Sequence, residues 1–283
     1  MLENNANVDW RPETIGEGRM GGFLRGLIDW DIARNRYWGT PIPIWVCEDC
    51  GHKHAVGSIE ELRKLAHLDS SVEVDLHKPF LDKLAFDCPK CGKKMYRTPE
   101  VLDCWYDSGS MPFAQLHYPF ENKELFEKTF PAEFISEGMD QTRGWFYSLL
   151  AVNTILFGKA PFKRCLPLGL VNDEHGKKMS KSIGNVVTPW EVFDESGSDA
   201  ARWYFYISNN PWQSTNFSFT ALEDFKRKFM GTLWNTYAFY VLYADIDQFN
   251  GSKHSIYNVK LTLMDKWIIS EFNKLVKDVD KYL

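Results

Sequence analysis

The chain has 283 residues, 44% apolar and 15% aromatic, with eleven Trp, so it can build one large packed core or two modest ones and is not a disordered chain. Its net charge of -5 excludes a globally basic nucleic-acid binder, though a local basic strip remains compatible with an acidic total. The apolar run near Trp145–Phe157 is too short and interrupted to span a membrane, and Met1-Leu2-Glu3-Asn4-Asn5 has no basic-then-apolar leader, so a reducing, cytoplasmic setting is expected.

Residues 1–25 are polar and Gly-rich without a period, and read as the tail of something begun earlier. Pro41–Val46 reads as an extended segment leading into a C-x-x-C knuckle, Cys47 and Cys50. Ser58 as N-cap and Glu61 closing a capping box predict a short helix over 58–66. A second knuckle follows at Cys88 and Cys91, after a gap of 37 residues that is longer than in compact fingers. Four thiols in paired knuckles suit a tetrahedral structural Zn²⁺, with free buried thiols as the alternative. Gly51 and Gly92 supply a tight turn after each knuckle. His52 and His54 read as surface residues, and Cys104 and Cys165 as packing residues.

Glu133–Glu137 reads as a short buried strand ending at Gly138. Thr142–Phe157 is apolar on most faces and stops at Gly158, which suits a buried helix with a glycine C′ cap. Arg164–Val171 reads as a second strand. Strand, helix, strand predicts a βαβ unit and a parallel sheet. A loop rich in Gly, Lys and Ser covers 172–187. Thr188, Pro189 and Glu191 then supply N-cap, N1 proline and capping-box acid of a helix. Ser198 opens another helix through Ser208. From Thr220, capped by Thr220 and Glu223, Leu222, Phe225, Phe229, Leu233, Tyr237 and Tyr240 recur at helical spacing. A last amphipathic helix starts near Leu263 and is still in phase at Leu283, as a truncated helix would be; Met264, Trp267, Ile268, Leu275, Val279 and Tyr282 share its face.

The sharpest chemical signal is Lys178-Met179-Ser180-Lys181-Ser182, in the loop after the second strand of the βαβ unit. Ligands of parallel sheets sit beyond the carboxyl ends of the strands. A Gly-flanked loop with two ammonium groups can close on a triphosphate and neutralise charge that builds when the α-phosphate is attacked. An arbitrary Lys-x-x-Lys would more simply be a solvated surface loop. The whole pentapeptide in this context favours the phosphate reading.

This pentapeptide resembles the second signature of class I aminoacyl-tRNA synthetases. The flanks Leu170–Lys177 and Ile183–Val186 are similar to the valine/isoleucine/leucine subgroup. Asp29-Trp30 with Arg34–Pro43 resembles the return from the editing insertion. Val101–Ser110 and Glu137–Phe146 resemble the isoleucyl forms of two further blocks, the second being the adenylate-binding stretch. The blocks jointly run along the whole chain and are specific.

The resemblance implies an α/β fold: the second half of a Rossmann-type doubly wound parallel sheet with a zinc-ribbon insertion, followed by an α-helical bundle segment. Its parts would be the return from the editing insertion (1–40), the zinc-ribbon insertion (41–110), the second catalytic half (111–190), stem-contact helices (191–217) and the start of a helical anticodon-binding region (218–283). The implied activity joins isoleucine to ATP and passes the acyl group to tRNA(Ile), with Mg²⁺ accompanying ATP and no part for DNA or a membrane. Lys178 and Lys181 would be catalytic. Glu137, Gly138, Asp140, Gln141, Met179, Ser180, Lys181 and Ser182 would bind ATP or the adenylate. Trp105, Tyr106 and Trp145 would line the amino-acid pocket, although single aromatics are more often core. Cys47, Cys50, Cys88 and Cys91 would hold zinc. Lys226, Arg227, Lys228, Lys274 and Lys277 could meet RNA phosphates, or simply lie on solvated helix faces. No His-x-Gly-His signature occurs among the seven His, so these 283 residues alone are expected to be inactive. Valyl or leucyl specificity, or a non-catalytic tRNA-binding or zinc module, are the competing readings.

Overall fold

The computed structural model describes all residues 1–283, and they divide into two compact units. The first comprises residues 1–187 and 205–217; the second comprises 188–204 and 218–283. No helix is long and apolar enough to cross a membrane.

The first unit is built on a three-stranded parallel sheet. Arg164–Leu168 lies at its centre, with Asp9–Trp10 on one side and Ile135–Gly138 on the other. The βαβ unit is therefore present: Ile135 pairs with Cys165 and Gly138 with Leu168, both in parallel register. The crossover helix Trp145–Phe157 starts three residues later than expected, after a 3₁₀ turn over Met139–Arg143, and ends at Gly158 with φ 71°. This left-handed conformation is the reason a glycine stops the helix there. Phe146, Leu149 and Leu150 of this helix pack with Val8, Trp10, Met20, Phe162 and Cys165 in one core. Full burial of each large side chain contributes about 1.5–3 kcal/mol.

Residues 1–25, expected to be without regular structure, hold Asp9–Trp10 and the helices Leu2–Ala6 and Gly21–Arg25. A two-residue strand has no periodicity of its own; its pairing with Arg164 and Cys165 creates it. The first expected strand is shifted from Glu133–Glu137 to Ile135–Gly138, and the second stops at Leu168. Val171–Asn172 pairs instead with Thr215–Asn216.

The cysteine knuckles lie on a separate four-stranded antiparallel sheet with its own core. Ile44–Cys47 pairs with Lys53–Ala55 and Lys94–Arg97, and Phe86–Asp87 borders the last of these. Trp45, Phe86, Leu62, Leu81 and Met95 fill that core. Ser58 caps the helix Ile59–Leu65, accepting from the Glu61 N–H at 3.1 Å. The expected capping box does not close: the Glu61 carboxylate accepts from Gly57 N–H at 2.7 Å and meets His54 Nε2 at 2.9 Å.

In the second unit, Thr188 and Glu191 form the expected capping box at the start of Pro189–Ser196, with Pro189 in the first turn. The helix Phe219–Lys226 is capped by Ser218, not by the expected Thr220. Both hydroxyls are competent caps, and the chain becomes helical directly after Ser218. Leu222 is fully buried, while Trp203 stacks on Phe229 at 4.0 Å. The last helix, Leu263–Tyr282, opens with a Thr262–Asp265 capping box and buries no residue.

Candidate adenylate and metal sites

Glu137 and Gly138 end a strand whose partner ends at Leu168, so the chain leaves both strands at one edge of the sheet. Glu137 is exposed there. A Cβ at Gly138 would stand 2.6 Å from Asp140 Oδ1, so the glycine lets the acid fold back on the strand tip. Asp140 Oδ2 accepts from Gln141 Nε2 at 3.1 Å, and Gln141 Oε1 accepts from the Trp145 N–H at 2.9 Å. The amide of Gln141 thus ties the strand tip to the first residue of the crossover helix.

Two of the three aromatic candidates, Trp105 and Trp145, lie beside this turn. A Cβ at Gly144 would stand 3.0 Å from the Trp105 ring, and Trp145 Nε1 donates to the Ser108 carbonyl at 3.4 Å. Trp105 is 41% exposed and free to meet a ligand. Trp145 packs against the core, which makes it a wall residue at most.

Trp105 and Tyr106 stand in the first turn of the helix Cys104–Ala114, whose N-cap Asp103 accepts from the Trp105 N–H at 3.2 Å. Asp103 is buried and also receives Trp30 Nε1 at 3.1 Å and the Arg34 guanidinium. Burial pushes its carboxyl up, but Trp30, the Trp105 amide and Arg34 outweigh this and hold it below its ordinary value. Asp107, one turn on, is raised by burial, opposed by the Thr40 hydroxyl and reinforced by the charge of Asp103. Asp103, Arg34 and Trp30 belong to the blocks that carry the family resemblance but have no individual role assigned from the sequence, although a lone Asp directly before a helix is an N-cap signal. Cys104, expected to be a packing residue, is exposed, with Sγ 3.6 Å from Asp103 Oδ1. Helix position, not hydrophobicity, decides its exposure. Cys165 is buried as expected, and burial pushes its thiol far up.

The Lys178–Ser182 loop follows the central strand in the same unit. Lys178 and Lys181 are exposed and form no ion pair. Ser180 and Ser182 share a hydroxyl contact at 2.8 Å, and Met179 is half-buried. Gly176 and Gly184 both turn with φ 77°. No hydrogen bond or ion pair joins the lysines to Glu137 or Gln141; the loop leaves Val171–Asn172, which pairs with Thr215–Asn216 and not with the strand that carries Glu137.

The four knuckle thiols converge, with all Sγ atoms within 4.8 Å of one another. Cys47 meets Cys91 at 3.4 Å and Cys50 meets Cys88 at 3.6 Å. Each knuckle has the same backbone: Gly51 N–H donates to the Cys47 carbonyl and Gly92 N–H to that of Cys88, with φ 70° and 73°. Burial raises the Cys88 thiol, but the Lys90 and Cys91 amides outweigh it and bring it to about 7. Cys91 is lowered by the Lys93 amide, yet its thiol neighbour Cys47 and burial push it up to about 12. Four thiol sulfurs this close together can hold a metal ion.

A family model for class I tRNA synthetases (I, L, M and V) matches residues 1–218. The chain belongs to the class I tRNA synthetases. This synthetase chain is 57% identical over 283 residues to an isoleucine–tRNA ligase of Clostridium tetani. It is 52% identical over 278 residues to one of Bacillus thuringiensis. The matches cover 100% and 98% of the chain but only 27% of each relative. Among solved structures, the ternary complex of Agrobacterium radiobacter K84 agnB2 LeuRS with tRNA and LeuAMS matches 71% of the chain. Its TM-score is 0.53 at 28% identity, over 27% of that protein. Mycobacterium tuberculosis methionyl-tRNA synthetase with methionyl-adenylate matches 80% of the synthetase chain and 34% of its own, at TM-score 0.52 and 19% identity, a likeness of fold alone.

Proposed function

We propose that this chain is the part of an isoleucine–tRNA ligase that holds the adenylate-side strand tip and the phosphate loop. The observation that carries the reading is 57% identity to such a ligase over all 283 residues, with Glu137 and Gly138 at the carboxyl tip of a parallel strand and two lysines without an ion-pair partner in the loop that follows the βαβ unit. In the reaction, a carboxylate oxygen of isoleucine attacks the α-phosphate of ATP and pyrophosphate leaves. The acyl group then passes to the 3′ end of tRNA(Ile). Lys178 and Lys181, with no carboxylate partner, are available to neutralise the phosphates, and Mg²⁺ accompanies ATP. Glu137, Gly138, Asp140 and Gln141 face the nucleoside or the ammonium group, with Met179, Ser180 and Ser182 shaping the loop. Trp105 and Tyr106, backed by Trp145, form one wall of the amino-acid pocket.

Cys47, Cys50, Cys88 and Cys91 hold a structural Zn²⁺ in this reading. A tetrahedron with arms of about 2.3 Å has edges of about 3.8 Å. The 3.4 and 3.6 Å sulfur pairs approach that spacing already. In the RNA-facing part, Lys226 and Arg227 pair with Glu223 and Asp224, so Lys228, Lys274 and Lys277 are the freer cations for phosphate.

The test is isoleucine-dependent ATP–pyrophosphate exchange by the whole ligase containing this chain. Lys181→Ala is expected to lower exchange about 100-fold or more, as loss of one transition-state donor does. Undiminished exchange by that variant, or exchange driven by valine or leucine in preference to isoleucine, would overturn the assignment.

A further inference from the structure

The geometry points to Asp173 and Asn185 as a side-chain staple that sets the conformation of the lysine loop and keeps its ammonium groups unpaired. Asn185 grips the backbone on both sides of Met179. Its Oδ1 accepts from the Ser180 N–H at 2.9 Å, and its Nδ2 reaches the Lys178 carbonyl at 3.3 Å. The same Nδ2 donates to Asp173 Oδ2 at 2.8 Å. Asp173 in turn accepts at Oδ1 from the N–H groups of His175 at 3.0 Å and Lys177 at 2.8 Å. Two residues twelve positions apart therefore close the loop.

The staple has a second consequence. Loop carboxylates are the natural partners that would quench Lys178 and Lys181. Asp173 is saturated by amide donors, which removes the carboxylate that holds the loop closed as a partner for either lysine. Neither lysine forms an ion pair, and with Asp173 held by the staple both are left for an external anion. For its part in catalysis the inference rests on the phosphate reading above; for its effect on the loop it does not.

Limited trypsinolysis of the 283-residue chain, read by mass at the bonds after Lys178 and Lys181, separates the two. Cleavage of a folded chain tracks the open population of the segment. Asn185→Ala and Asp173→Ala should each speed cleavage at these bonds about tenfold, the usual effect of losing a hydrogen bond to a charged group. The double exchange Asp173→Asn with Asn185→Asp keeps the donor–acceptor pair with reversed polarity. The amide at 173 donates to the carboxylate at 185, whose other oxygen still accepts from Ser180. Because the carboxylate at 185 gives up the donation to the Lys178 carbonyl, rescue is partial, and cleavage should fall clearly below that of the faster single variant. Native cleavage in Asn185→Ala, or a double variant cut as fast as the faster single one, overturns the staple. Inorganic pyrophosphate with Mg²⁺ should slow cleavage after Lys178 in the native chain and not in Lys181→Ala. Rescue by the double variant without this protection retains the staple and discards the phosphate reading.

Discussion

Asp173 shows how acid would reach the loop. Asn185, then the Lys177 and His175 amides, hold its carboxyl below the ordinary 3.8. A group whose folded pKa is depressed stabilises the native arrangement above its unfolded value and loses that contribution as pH falls through the folded value. The protection of the Ser180 N–H against hydrogen exchange, corrected for intrinsic rate, should be constant above about pH 5 and fall as the solution becomes more acid than 3.8. Constant protection through that range would mean that the carboxylate does not hold Asn185. The lysines, Glu137 and the knuckle cysteines were visible as candidates because they sit in contiguous motifs. Asp173 and Asn185 lie within quoted blocks but act through a loop path that side-chain type alone does not reveal. The same holds for Arg34 and Asp103, which are 69 positions apart.

At the scale of elements, local chemistry decided what was legible. Thr188–Glu191 and Gly158 terminate helices through groups within a few residues, and each does what its residue type suggests. Asp9–Trp10 owes its extended form to Arg164 and Cys165, so no local pattern announces it. The helix Cys104–Ala114 was also hidden, because Gly109 and Pro112 interrupt it. Gly109 has a packing reason: a Cβ there would stand 2.5 Å from the Ser148 carbonyl oxygen, and Asn153 Nδ2 donates to the Gly109 carbonyl at 2.9 Å. Because the obstacle is backbone of the facing helix, Gly109→Ala must push the two helices apart. We expect a loss of about 1–3 kcal/mol in urea unfolding, the usual range for overpacking. An unchanged midpoint would show that the helices have room to part. The antiparallel sheet offers a separate test. A chelator should strip hydrogen-exchange protection from Ile44–Cys47 and Lys94–Arg97 while Arg164–Leu168 stays protected, because the two sheets have different cores. Retained protection in the knuckle sheet would show that its apolar core suffices without metal.

For the molecule as a whole, the decisive question is how much of the proposed nucleotide site these 283 residues contain. The chain spans about 27% of the ligases it matches. Its parallel sheet has three strands, and Ile135–Gly138 is hydrogen-bonded on one side only, by Arg164–Leu168. The seven His include no His-x-Gly-His turn, the element that by family likeness grips ATP from the other half of such a sheet. Two ammonium groups on a loop attract a triphosphate, but catalysis also requires the α-phosphate to be held in line with the attacking carboxylate. Charge without that alignment binds ground state and transition state alike and leaves the chemical step slow. The purified 283-residue chain is therefore expected to bind pyrophosphate with Mg²⁺ while giving no isoleucine-dependent exchange, and the whole ligase to give both. Clear exchange by the 283-residue chain would mean that Glu137, Lys178 and Lys181 align the reactants unaided.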